Sequence, residues 1–351
     1  MFPISIRLLL AHAALGLLPV LLFLFGLELI DTYKLLTLRR VLRSVAVGAG
    51  AALICYALNT AVNASGLVSS SMWARSGAPL VEECAKALYV VWLLRKNRVG
   101  FMVDAAISGF AVGAGFAVLE NVTYLPDVSA AGLLTSAIRG LGTAMMHGGT
   151  TAIFGIVSVN LSEIRASRSW LLFLPGTAIA VLIHELYNQP LWRPVTAAVI
   201  VLVTLPVLMS VIFWRSEKAL EKWLGAKLDK DIDLLQSLTG GGFSSSRAGR
   251  YLQSLEGTFA PQILGDMLSY LQLSLELSAR AKGDLLRREM GFPVAPDPEL
   301  AAHLKELRYL ESQIGRAGQL AVAPLLGRSR RDIWEMEQLA AKQQETAAGG
   351  G

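Results

Sequence analysis

The stretch FMVDAAISGFAVGAGFAVLENV, residues 101–122, decides how this chain is read. It is mainly apolar, has no Lys or Arg, and is the length a bilayer core needs, about 20 residues for about 30 Å at helical rise. Gly109, Gly113 and Gly115 lie within it. Small residues four apart let helix backbones approach closely in a membrane, so these glycines are expected to serve packing. The stretch ends in Glu120-Asn121, polar groups that a membrane span does not carry without reason.

Working outward with the same window gives about seven spans, roughly 8–29, 43–63, 78–95, 101–122, 139–161, 169–188 and 194–214. The third is the least apolar, because Glu82, Glu83 and Lys86 sit inside it. The first runs from Leu8 to Leu27 after Arg7, interrupted only by His12. It is too long for a signal-peptide core and no small-x-small cleavage site follows, so it is expected to be a retained span. His12 reads as a packing or interface residue, and Glu28 at the far end can reach the headgroups.

Loop charge sets orientation. Lys34, Arg39, Arg40 and Arg43 mark the first loop, and Arg95, Lys96 and Arg98 the third. Arg165 and Arg168 mark the fifth, and Arg215, Lys218 and Lys222 follow the last span. The intervening loops carry only Arg75, none around Asp127, and Arg193. This alternation puts the N-terminus outside and the C-terminus in the cytoplasm of a cell membrane, with a bacterial inner membrane as the expected setting.

The chain is 53% hydrophobic and 17% charged, against about 25% charged in an average soluble domain. Charges are scarce before about residue 214 and ordinary after it, which separates a membrane part from a water-exposed part. The division expected is a transmembrane domain 1–214, a juxtamembrane helix 215–238, a Gly/Ser linker 239–247, a cytosolic helical domain 248–345 and a disordered tail 346–351. In the helical domain, Leu252, Leu255, Phe259 and Leu264 recur at helical spacing. Stretches 248–291 and 297–342 read as helical, broken by Pro293, Pro296 and Pro298. The fold class expected is therefore all-α, a bundle of about seven spans with a cytosolic helical domain that regulates or docks a protein partner.

The net charge of +5 lies largely in loops and tail, and no aromatic-interleaved basic stripe is present, so nucleic acid is not an expected partner. Cys55 and Cys84 both fall in apolar segments, which argues against a disulfide framework and against a reactive thiol.

Topology brings the ionisable groups together. Glu82, Glu83 and Lys86 lie in the first turns of the third span, Glu120 at the end of the fourth, His147 inside the fifth, and His184 and Asn188 at the end of the sixth. With alternating helix direction, all fall in the outer half of the bilayer. Lys86 is three and four residues from Glu83 and Glu82 and can pair with either. His184 and Asn188, four apart, share a face. For Glu82/Lys86 alone, a packing ion pair is the plainer account, but intramembrane charges gathered at one depth point to function. The set suits peptide hydrolysis: a carboxylate as general base on water, a second acid or His to protonate the leaving amine, and a His and Asn to donate to the oxyanion. No Gly-x-Ser-x-Gly elbow appears in any span.

The ordered motifs Glu82-Glu83-Cys84-Ala85-Lys86, Phe116-Ala117-Val118-Leu119-Glu120-Asn121, His147-Gly148-Gly149-Thr150 and His184-Glu185-Leu186-Tyr187-Asn188 resemble the PrsW family of intramembrane proteases, akin to CAAX-prenyl proteases and bacteriocin-immunity-type proteins. The resemblance covers about residues 40–214. It implies a glutamate-dependent, metal-independent peptidase with no cofactor, acting on membrane-anchored proteins, in some cases to release signalling regulators. It implies that Glu82 and Glu83 hold or activate water, and either of the two could be the base. It further implies that His147 and Glu120 assist proton transfer, that His184 and Asn188 stabilise the oxyanion, and that Lys86 and Asn121 orient the carboxylates. A zinc peptidase is the nearest rival, although His-Glu-x-x-His is absent because residue 188 is Asn. A proton-coupled transporter or a non-catalytic immunity-type protein would also carry buried ionisable groups of this kind.

Overall fold

A computed structural model describes residues 25–26, 37–128, 133–164, 169–189, 193–240, 242–292, 298–326 and 334. Among them the chain is helical throughout and divides into two compact units, residues 1–217 and 218–351.

In the first unit, α1 (Leu38–Ser65) ends on Gly66, whose φ of 67° is the left-handed conformation that glycine adopts without a Cβ penalty. A short helix, Ser70–Met72, is capped by the Ser69 hydroxyl and opens into a single π-helical turn, Trp73–Gly77. From it α2 (Ala78–Arg95) continues with Pro79 in its first turn, where a missing N–H costs nothing. Then come α3 (Met102–Val128) and α4 (Leu133–Ile164). A 3-10 turn, Trp170–Phe173, leads into α5 (Leu174–Asn188). The last helix, α6 (Pro194–Thr239), is 46 residues long and runs on into the second unit.

Among the described residues, four helices are long and apolar enough to cross a membrane: Leu38–Ser65, Met102–Thr123, Trp170–Asn188 and Val195–Thr239. The expected first span, about 8–29, with His12 and Glu28, lies outside the described residues apart from Phe25 and Gly26. The residues of the expected third and fifth spans are helical, as α2 and α4, but neither helix is among the four, with Glu82, Glu83 and Lys86 in one and His147, Thr150 and Thr151 in the other. Several boundaries differ from the sequence reading. Arg39, Arg40 and Arg43 belong to α1, not to a loop, Asp127 belongs to α3, and α6 passes residue 214 without a break.

The core of this unit is the buried helix α3, with α1 and α4 against it. Phe110, Ala111, Ala114 and Ala117 are fully or almost fully buried. The glycines make that contact, as expected: a Cβ at Gly109 would overlap the Thr151 carbonyl on α4, one at Gly113 the His147 carbonyl, and one at Gly115 the Val45 carbonyl on α1. Between α2 and the turn before α5, the Arg95 guanidinium lies 3.6 Å over the Trp170 ring.

The second unit holds α7 (Arg247–Gln253), α8 (Pro261–Glu289) and α9 (Leu300–Leu326). The helical stretch expected over 248–291 is therefore two helices, parted at 254–260, and α9 bends at Gly315, where φ is 62°. Leu252, Met267, Tyr270, Leu271, Leu304 and Leu310 form the core, and Leu255, Phe259 and Leu264 pack against it. Deep within it, the Lys282 ammonium, 0% exposed, donates to Asp231 Oδ2 at 2.9 Å and lies 5.4 Å from the Trp223 ring centroid.

Removing one partner of a buried pair leaves the other uncompensated. Asp231→Ala is therefore expected to destabilise the second unit by about 3–5 kcal/mol. Asp231→Leu with Lys282→Met should recover most of that loss. Thermal unfolding of the detergent-solubilised chain checks both.

Candidate active site

Glu83 is the hub of a buried polar cluster. The π-helical turn before α2 and the helix pitch aim Glu82 and Glu83 about 100° apart around α2. Glu83, 2% exposed, faces α4 and α5. Its Oε1 accepts from Lys86 Nζ at 2.6 Å and from His184 Nδ1 at 2.8 Å. The Thr150 hydroxyl lies 3.2 Å from both Glu83 oxygens and 3.1 Å from the His147 carbonyl. Lys86 and Thr150 are 0% exposed, so these groups find their partners inside the protein.

Lys86 Nζ also lies 2.8 Å from His147 Nδ1. An ammonium donates, so Nδ1 accepts and the ring proton of His147 sits on Nε2. That Nε2 is 2.5 Å from Glu120 Oε2, but out of hydrogen-bond alignment, and neither atom has a hydrogen-bond partner among the described residues. Phe116, one turn before Glu120 on α3, stacks 4.9 Å from the His147 ring and lies under Lys86 Nζ at 5.1 Å. The His147 and His184 rings meet edge to face at 4.7 Å.

Glu82 is held differently. Its Oε1 accepts from Asn59 Nδ2 on α1 at 3.0 Å, and its Oε2 lies 3.9 Å from His184 Nε2. With Nδ1 donating to Glu83, the Nε2 of a neutral His184 ring presents a lone pair across that gap. A separation near 4 Å is one that a single water can bridge.

The structure thus brings together Glu82, Glu83, Lys86, Glu120, His147 and His184, from four helices. The two amides donate to backbone carbonyls. Asn121 Nδ2 donates to Gly140 O at 2.9 Å, tying α3 to α4 rather than touching the carboxylates. Asn188 Nδ2 donates to Ala74 O in the π-helical turn at 3.3 Å, away from the carboxylates. Sequence reasoning missed Asn59 and gave Thr150 no role. An amide inside a mainly apolar span is the available signal, but Asn63 in the same span offers it equally, so it does not single out Asn59.

Glu82, His147 and His184 each offer an atom within 4.8 Å of the others, a set able to hold a metal ion. His184 has the right support, since its other nitrogen donates to a carboxylate, as metal-binding histidines do. His147 fits only with its proton moved to Nδ1, which makes Lys86 Nζ the acceptor. The donor set therefore fits a divalent ion once the Lys86–His147 pair has released one proton and His147 carries its remaining one on Nδ1. Cys55 is buried, Cys84 exposed, and both are free.

Apolar helices enclosing carboxylates and imidazoles mark a membrane-embedded protein with a candidate centre for acid–base or metal chemistry. Residues 37–214 match the model of the PrsW family, described as PrsW family intramembrane metalloprotease, and the chain belongs to that family. No curated protein and no solved structure matches it significantly. The chain is a multi-pass membrane protein, and its family is one of intramembrane proteases.

Lys86→Met would leave Glu83 buried without its ammonium. The expected cost is about 3–5 kcal/mol of stability. Glu83→Gln with Lys86→Met should be more stable than Lys86→Met alone. Melting curves of the three variants in detergent decide it, and equal stability of both would contradict the hub role.

Proposed function

We propose that this protein hydrolyses peptide bonds of membrane-anchored proteins, with Glu82 as the general base. The observation that carries this is the different environment of two adjacent carboxylates. Glu83 Oε1 is engaged by Lys86 and His184, with the Thr150 hydroxyl beside both of its oxygens, whereas Glu82 has Oε2 facing His184 Nε2 across 3.9 Å. A water bridging that gap gives one proton to Glu82 while its oxygen forms the bond to the peptide carbonyl carbon. The carbonyl becomes an oxyanion, to which the buried His147 Nε2–H donates. As the C–N bond breaks, Glu82 returns the proton to the leaving amine. Glu120 Oε2, beside the same His147 nitrogen, assists the transfer. Glu83 and Lys86 orient the two imidazoles. Asn188 supports the helical turn before α2 in this scheme in place of the oxyanion role that the family resemblance implies.

A second reading places a divalent ion on Glu82, His147 and His184, favoured by the closeness of their ligand atoms and by the family description. Such an ion would polarise the carbonyl and activate water. The contact of His147 Nδ1 with the Lys86 ammonium favours the metal-independent reading.

Glu82→Gln and His184→Ala are expected to lower kcat about 10²–10⁴-fold on fluorescein-labelled casein in proteoliposomes. Wild-type rates that survive chelation, with no stoichiometric metal by elemental analysis, support the first reading; loss on chelation and recovery with zinc support the second. Equal cleavage by wild type and both variants would remove the hydrolytic site.

The alternation of basic and neutral loops supports an extracytoplasmic N-terminus, a site in the outer half of the bilayer, and a cytoplasmic domain after residue 214 that binds a protein partner, with release of a signalling regulator as the outcome in a bacterial inner membrane. Single cysteines in a Cys-free background are expected to react with a membrane-impermeant maleimide in intact cells at position 67 and only after lysis at position 256. The reverse pattern would invert the topology.

A further inference from the structure

We infer that Asn59 is a positioning residue for the Glu82 carboxylate and that Trp73 sets which way its amide faces. This rests on Glu82 acting as the base. Asn59 lies on α1, in a segment that otherwise contributes apolar packing, and its Nδ2 donates to Glu82 Oε1 at 3.0 Å. Its Oδ1 accepts from the Trp73 indole Nε1–H at 3.1 Å. An indole N–H can only donate, so it requires an oxygen opposite. The amide therefore cannot turn over, and its N–H stays on the carboxylate.

The orientation matters because Glu82 has one oxygen to hold and one to use. With Oε1 anchored on Asn59, Oε2 is left 3.9 Å from His184 Nε2. Trp73 is itself fixed. It opens the π-helical turn, and Gly77 lies so close against its ring that a Cβ there would overlap the indole. At the next residue, the Ala74 carbonyl accepts from Asn188 on α5. The turn is thus clamped to α1 by Trp73 and to α5 by Asn188, and the chain Trp73–Asn59–Glu82 carries that clamp to the carboxylate.

Three variants of the full chain in proteoliposomes test this, with fluorescein-labelled casein as the probe. Asn59→Leu is expected to lower kcat about 10- to 100-fold, as losing an outer partner of a reactive group does, with KM within about twofold. Asn59→Asp keeps the acceptor for Trp73 but sets a carboxylate against Glu82, and should be at least as slow. Trp73→Phe keeps the ring and loses the donor, and about a fivefold loss is expected, the worth of one hydrogen bond. Combined with Asn59→Leu it should add nothing further, since both act through one chain of contacts; independent structural damage would multiply. A second readout is independent of catalysis. Dicyclohexylcarbodiimide labelling of Glu82, followed by mass spectrometry, should be several-fold faster in Asn59→Leu and Asn59→Asp, where Oε1 has lost its donor. Unchanged labelling, or wild-type kcat in both Asn59→Asp and Trp73→Phe, overturns the inference. If wild type and Glu82→Gln cleave casein equally, the protease reading fails by itself, and the labelling rates of the Asn59 variants still decide the Asn59 contact.

Discussion

A carboxylate that is 2% exposed inside an apolar bundle is the constraint from which the rest follows. The cost of an ion in such a place falls only when several partners are supplied at once. Glu83 receives an ammonium from its own helix, a hydroxyl from α4 and an imidazole from α5. Each partner on another helix fixes that helix relative to α2. The site is therefore not an addition to a finished bundle; meeting the needs of one charge is what registers three helices against each other.

The same constraint separates two neighbouring glutamates into different roles. Adjacent positions on a helix point about 100° apart, so the two meet different helices and share only the His184 ring. Glu83 turns to α4 and α5 and is consumed by structure. Glu82 turns toward α1 and the gap before His184, with Oε1 on Asn59 and Oε2 facing that gap. The Lys86–His147 contact extends the ordering outward, because an ammonium on Nδ1 settles which ring nitrogen of His147 faces Glu120.

The helices and the meeting of the ionisable groups are legible in the sequence, because both depend on composition and spacing along single helices. Glu82, Glu83, Lys86, Glu120, His147 and His184 do converge, and the glycines of α3 do face neighbouring backbones. What depends on rotation about a helix axis is not legible. The motifs place Asn121 and Asn188 beside the carboxylates, yet each holds a backbone carbonyl instead. Asn59 escapes notice because nothing near it in sequence marks it, and its partners are 14 and 23 residues away. The helix ends differ for a simpler reason. Arginines in α1 sit in its first turns, where long side chains reach water without leaving the helix.

The backbone-to-backbone seams of α3 have a mechanical consequence. With Gly113 against the His147 carbonyl on one side and Gly115 against Val45 on the other, α3 has no side-chain cushion through which it could slide past α1 or α4. A bilayer that thins or thickens must then tilt these three helices as a block or deform around them, since hydrophobic mismatch is met by whichever element yields first. Glu120 and His147 sit on two of these three helices, so the seam that sets Gly113 against the His147 carbonyl also sets the spacing between the two side chains.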